Sequence, residues 1–280
     1  MQEIATNIFT EHNSLGLTAG IIQNSHGTVL IDSPIRQEDT GSWKGTTARL
    51  VTGKDRYMVV LDTNYDRLLS IKGCDCAIVA HAETIPPIRS RFSPARVNEE
   101  GMPFESSEPG SGSTRIHPPE IIFEDKMSLH LGELSIELEH HPGSNQAGIW
   151  AIIPERKVVF VGDSVIVDQP PFLAYANLEV WEQDLKELTS RKFKDYQVVS
   201  ARSGVVDGNH IKTMEKNIAF ISKMFAKLTE SNAPLEEWRA KIPAISSRMS
   251  ELDLFNSELF YNRLHWGITT YYELHHRERG

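Results

Sequence analysis

Hydrophobic positions follow two different rhythms along this chain. From residue 17 to about residue 160 they come in short runs or alternate with polar positions, and from residue 178 they recur every three to four residues. Alternation is the signature of strands, whose side chains point to opposite faces in turn; the longer period is that of amphipathic helices. Residues 17–23 and 28–31 flank a His26–Gly27 turn and predict a hairpin, closed by Asp32, Ser33 and Pro34. A short helix is expected within 38–53, around Trp43 and Leu50, followed by apolar strands over 56–61 and 77–80. A second group of strands is expected over 121–123, 127–131, 134–139, 147–153 and 157–160. In it Leu134, Ile136 and Leu138 share one face while Ser135, Glu137 and Glu139 share the other, as in a half-buried antiparallel strand.

The helical rhythm opens with Leu178, Trp181, Leu185 and Leu188, and that helix is expected to end near Lys192. A strand over 196–200 and a helix over 211–228, striped by Met214, Ile218, Ile221 and Phe225, come next. The last forty or so residues, with Leu252, Phe255, Leu259, Leu264, Ile268 and Tyr272, predict terminal helices. Residues 84–119 are crowded with Pro, Gly, Ser and Glu and show no period, so they are expected to be a lid-like insertion or a mobile excursion. Strands in two hairpin-rich groups with helices beside and after them predict an α/β fold. It is a four-layer αββα sandwich of two mixed β-sheets flanked by helices, which buries both sheets. A chain of 280 residues suits a single domain over 1–280, with a loop insertion at about 84–119 and C-terminal helices from about 210.

Charge and composition narrow the partners. A net charge of −9 and a pI near 5.7 disfavour a nucleic-acid backbone. No run approaches ~18 consecutive apolar residues, so no membrane span is expected. The N-terminus lacks a basic segment followed by an apolar run and does not read as a secretory leader. Cys74 and Cys76 are the only cysteines. Two positions apart in an apparent strand, they point to one face and are poorly placed for a mutual disulfide, so a reduced, cytoplasmic location is expected.

Candidate chemistry collects where predicted strands end. Asp62 and Asp66 follow the strand over 56–61, His81 follows 77–80, His140 follows 134–139, and Asp163 follows the run Val158–Gly162. Loops at strand ends commonly carry function, and carboxylates and imidazoles are ordinary ligands for divalent ions. Equally, Asp62 and Asp66 could cap a helix beginning near Arg67, and His81 could close its strand structurally.

Three passages give these residues a context: TVLIDSP (28–34), VVLDTNYDRLLS (59–70) and EHHPGSNQAGIWAIIPERKVVFVGDSVI (139–166). Over residues 17–205 the chain resembles the metallo-β-lactamase fold superfamily. That resemblance places Asp66 at the aspartate of the His-x-His-x-Asp-His signature, His140 at the histidine before Pro-Gly, and Asp163 at the bridging aspartate. Asp62 and Asn64 stand at the signature's first two histidines, Arg67 at its third, and Ser203 at a late histidine, so four ligand positions are changed.

The resemblance implies one metal subsite of Asp62, Asn64 and His140 with Asp163 as a bridge. This mixed oxygen and nitrogen set suits Mn, Fe or Mg, with zinc still admissible. The other subsite would keep Asp66 and Asp163 but present Arg67, which has no lone pair, so it is expected to hold no metal. The Arg67 guanidinium could instead lie between those two carboxylates as a fixed cation. Two readings follow, with Asp66, Arg67 and Asp163 as the catalytic candidates. One is a hydrolase-like pseudoenzyme or divergent enzyme, metal-free or metal-poor, that binds a ligand or partner. The other is a single-metal hydrolase of esters, thioesters or phosphoesters, in which Asp66 or Asp163 takes a proton from metal-bound water. The cofactor is thus none or one divalent metal (Mn, Fe or Zn), His81 or His141 being substitute ligands. The expected partners are a small molecule and, through the C-terminal helices, a second copy of the chain.

Overall fold

Short β-hairpins dominate the first half of the chain, as its alternating pattern requires. The computed structural model of the protein describes residues 1–12, 17–33, 43, 45, 55–64, 67–68, 71, 75–89, 118–167, 169–249 and 258–276. They divide into two compact units, one drawn from 1–140, 147–162 and 195–206, the other from 141–146, 163–194 and 207–280.

The first unit holds both sheets. Strands β1 (Gln2–Ala5), β2 (Ile8–His12), β3 (Thr18–Gln23), β4 (Gly27–Ile31), β5 (Asp55–Val59), β6 (Ala77–His81) and β7 (Ile121–Phe123) lie side by side in chain order. Pairing is antiparallel from β1 to β4 and parallel from β4 to β7. The second sheet contains β8 (Lys126–Leu131), β9 (Leu134–His140), β10 (Ile149–Ile153), β11 (Val158–Phe160), β12 (Gln197–Ser200) and β13 (Gly204–Val206). Its order is β13-β12-β11-β10-β9-β8, antiparallel except for the parallel pair β11–β12. Both sheets are therefore mixed.

Alternation decides what each sheet buries. Ile22, Ile31, Val59 and Val79 of the first sheet join Ile136, Leu138, Ala151 and Phe160 of the second in one buried cluster. The face of β9 expected to be apolar is the face that enters it. The neighbouring positions Met58, Ile78 and Ala80 turn the other way and pack with Val60, Leu68, Ile71 and Ile88. Gly20 allows a close approach within this unit, since a Cβ there would lie 2.6 Å from the Phe160 ring.

Several local expectations are revised. Strands β1 and β2 were not foreseen, because the first twelve residues lack a sustained apolar alternation. Residues 85–89, expected to be irregular, form the short helix α1 (Ile85–Arg89). Its two prolines fall in the first turn, where a missing N–H costs no helical bond. Cys76 is disulfide-bonded, which corrects the expectation of reduced thiols; Cys74 lies outside the described residues. So do residues 90–117 of the insertion and most of 38–53, of which Trp43 and Gly45 are helical.

The second unit is helical: α2 (Leu178–Leu188), α3 (Gly208–Glu230), α4 (Leu235–Arg239), α5 (Ile242–Met249) and α6 (Glu258–His276). Asn177 caps α2 by accepting the Val180 N–H (3.2 Å), and Asp207 caps α3 by accepting those of Asn209 (2.8 Å) and His210 (3.0 Å). Trp238 of α4 is fully buried and packs on Phe225 of α3 and on Tyr271 and Tyr272 of α6. Among the described residues, no helix is long and apolar enough to cross a membrane.

Candidate functional site

Beyond β5 the chain stays extended through Leu61 and then turns sharply at Asp62. The Asp62 Oδ1 accepts the Asn64 N–H at 2.7 Å, a local turn that aspartate favours. The Asn64 carbonyl in turn accepts the N–H groups of Arg67 (2.9 Å) and Leu68 (3.2 Å), which starts a helical turn. This is half of the capping alternative: Asp62 shapes the approach to the turn that begins near Arg67. Asp66 lies outside the described residues.

The turn buries the Arg67 guanidinium completely. Its Nε lies 3.0 Å from Asp32 Oδ2 and 3.9 Å from Asp62 Oδ2, with every side chain of this triad at most 2% exposed. Asp32 sits in the left-handed region (φ 52°), and its Oδ1 accepts the Leu61 N–H at 3.1 Å. A buried arginine charge is tolerated only when paired, and two carboxylates placed together need a cation. Arg67 thus meets Asp32 and Asp62, a pairing that was not expected; the expected pairing with Asp66 falls on a residue outside the described ones. Sequence reasoning passed over Asp32 as a strand terminator. Its position directly after an apolar strand was the available signal.

His140, at the end of β9, stacks on His81 with ring centroids 3.6 Å apart and planes 15° from parallel. His81 also meets Phe123 edge-on at 5.7 Å. Its Nε2–H donates to the Glu124 carbonyl, and its Nδ1 accepts the Glu83 N–H at 3.2 Å. Both ring nitrogens are therefore engaged by backbone, which favours the structural reading of His81 over a substitute-ligand role. Burial holds the His81 pKa below its usual 6.5; the neighbouring His140 adds to this, while the Glu124 bond opposes it. Ser203 lies in the turn between β12 and β13, where its N–H donates to Ser200 Oγ at 3.1 Å.

Asp163 and His141 belong to the second unit. Gly162, at φ 57°, ends the strand segment, and Asp163 follows in a 3₁₀ turn, 1% exposed. His141 is held by α2: its Nδ1 lies 2.8 Å from Asp184 Oδ1, and the other oxygen of Asp184 accepts the Gly143 N–H at 3.2 Å. A Cβ on Gly143 would fall 2.5 Å from both Asp184 Oδ2 and Trp181 Cα, so only glycine lets the His-Pro-Gly turn sit this close to α2. Glu187, one turn beyond Asp184, offers a carboxylate oxygen within 4.8 Å of a His141 ring nitrogen. Asp184 was missed by sequence reasoning, although a carboxylate on the stripe Trp181–Leu185–Leu188 was a visible irregularity.

No protein-family model matches the chain, and no curated protein matches it. Solved structures do. The DIM-1 metallo-β-lactamase superposes with a TM-score of 0.59 at 16% identity, covering 79% of this chain and 96% of that one. A metallo-β-lactamase from Pontibacter korlensis gives 0.58 at 17%, over 77% of this chain and 98% of that one. The fold is metallo-β-lactamase-like. The stereoselective inverting sec-alkylsulfatase Pisa1 from Pseudomonas sp. gives a TM-score of 0.66 at 12% identity, and 98% of this chain matches 50% of that one. The class is accordingly the expected α/β sandwich of two mixed sheets with helices. On this metallo-β-lactamase-like frame the metal-binding cluster is incomplete.

Proposed function

We propose that this metallo-β-lactamase-like protein works without a two-metal centre and acts by binding a small molecule or a protein partner. The observation that carries this reading is the buried ion triad Asp32–Arg67–Asp62. By resemblance, Asp62 stands where the first signature histidine would bind a metal and Arg67 where the third would. In this protein the guanidinium faces the Asp62 carboxylate, and a protonated arginine cannot donate a lone pair to an ion. These residues do not fit the family's paired ions, and no catalytic step is assigned to such ions. The net charge of −9 supports a small-molecule or protein ligand over a nucleic acid.

Metal analysis of protein purified without chelator tests the reading, with Asp62→Ala and the double variant Arg67→His/Ser203→His alongside the parent. The expected outcome is a parent metal content indifferent to Asp62→Ala, and additional metal taken up by the double variant. Stoichiometric metal in the parent that disappears with Asp62→Ala would overturn it.

A further inference from the structure

We propose that His12, Thr18 and Gly204 form a proton-sensitive latch that fastens the β12–β13 turn of the second sheet to β3 of the first. Thr18, buried at the start of β3, holds that turn at two points. Its N–H donates to the Ala201 carbonyl at 2.8 Å, and its Oγ1 accepts the Gly204 N–H at 3.1 Å. The same Oγ1 lies 2.9 Å from Nδ1 of His12, the residue opposite Thr18 on β2. All of these groups belong to the unit that holds both sheets.

Proton counting gives the latch its sensitivity. A hydroxyl has one proton and two lone pairs, and the Gly204 N–H occupies one of the lone pairs of Thr18. Among the described residues, the acceptor that the Thr18 O–H reaches is His12 Nδ1, so the neutral ring accepts there and carries its own proton on Nε2. Protonated His12 has an N–H on both nitrogens and accepts nothing. The Thr18 hydroxyl, 2% exposed, then holds a proton without an acceptor, which is costly in the interior. Satisfying that proton requires another Thr18 rotamer, and the bond to the Gly204 N–H is lost with the old one. His12 itself is exposed, so its charged ring is solvated where it stands.

The turn has room to respond. At Gly204, with φ 68°, an added Cβ would meet nothing within 4 Å, and Val205 beside it is 47% exposed. Ala201 stays anchored, because its bonds to the Thr18 N–H and the Gly162 carbonyl do not involve the hydroxyl. Motion is thereby confined to the far side of the turn, next to Ser203, the position of the late histidine in the resemblance. No other charge competes for the role of His12. Strands β3 (TAGIIQ) and β13 (GVV) carry no titratable side chain. Glu11, on the opposite face of β2, lies 3.9 Å from the Met1 amino group, and Arg202 in the turn is always protonated. Partial burial holds the His12 pKa below its usual 6.5, so the latch is closed above pH 6.5 and opens as the pH falls below it.

The test follows amide hydrogen exchange of the intact chain by NMR across the His12 titration, corrected for the intrinsic pH dependence of exchange. Protection of the Gly204 amide should fall about fivefold as His12 is protonated, the worth of one hydrogen bond, while the Thr18 amide keeps its protection. His12→Asn, a change at an exposed position, puts a non-titrating acceptor in place of Nδ1 and should make Gly204 protection independent of pH. Thr18→Val, checked for folding by circular dichroism, should leave the Gly204 amide equally unprotected at every pH; if it does not fold, His12→Asn decides alone. Ring ¹⁵N shifts at neutral pH should place the His12 proton on Nε2. Gly204 protection that is unchanged across the titration, an equal change in His12→Asn, or a proton on Nδ1 at neutral pH overturns the latch. Each of these outcomes leaves the reading of Arg67 standing, since that reading is tested by metal content.

Discussion

Replacing Arg67 by methionine keeps much of the buried stem and deletes the charge that faces Asp32 and Asp62. At 3.0 and 3.9 Å, an effective dielectric of about 20 gives attractions of about 5.5 and about 4.3 kcal/mol. Desolvation of three charges offsets much of this, so the loss expected on breaking the network is about 3–5 kcal/mol. With a urea m-value of about 3 kcal/mol/M, the unfolding midpoint should fall by roughly 1–1.7 M. Neutralising both acids in the same background (Arg67→Met with Asp32→Asn and Asp62→Asn) should recover at least half of the loss. The remaining amides keep acceptors for the N–H groups of Leu61 and Asn64 while removing the repulsion. A single variant that loses less than about 1 kcal/mol, or a triple variant no more stable than the single, would refute the account of Arg67 as an internal counter-ion.

Two further outcomes follow from other parts of the molecule. Gly20→Ala places a methyl 2.6 Å from the Phe160 ring and should cost about 1–3 kcal/mol in urea unfolding, with Phe160→Leu relieving it; an additive double variant would contradict this. His12 and His265 both have pKa values below 6.5, His12 through burial and His265 through burial and then the charge of Arg239. The folded state therefore binds these protons more weakly than the unfolded state. Their stability is complete above pH 6.5 and is lost as the pH falls below it, down to the folded values. Urea midpoints should drop on acidification, and Arg239→Gln should raise the His265 pKa in an NMR titration. A midpoint that rises on acidification from about pH 7 to about pH 5 would contradict the sign.

Local periodicity by itself determined which faces are buried. The inward set Leu134, Ile136 and Leu138 and the stripe Met214, Ile218, Ile221 and Phe225 were readable because side-chain direction repeats with the backbone's own period. The sequence also located Asp62, His140 and Asp163 at strand ends, since a strand leaving the apolar core must finish in polar loops. Periodicity reports a face and not a partner, so it could not say which distant groups would meet. Only the tertiary structure decided that Arg67 lies against Asp32 and Asp62, because parallel pairing of β4 with β5 brings two remote strand ends together. Likewise, the His81 ring turns out to be occupied by two backbone contacts and by the His140 stack. Asp184 grips His141 across more than forty residues of chain, a hydrogen bond for which no short-range pattern exists. Ionic and hydrogen-bond partners are selected by three-dimensional proximity in a desolvated interior, which no local period records.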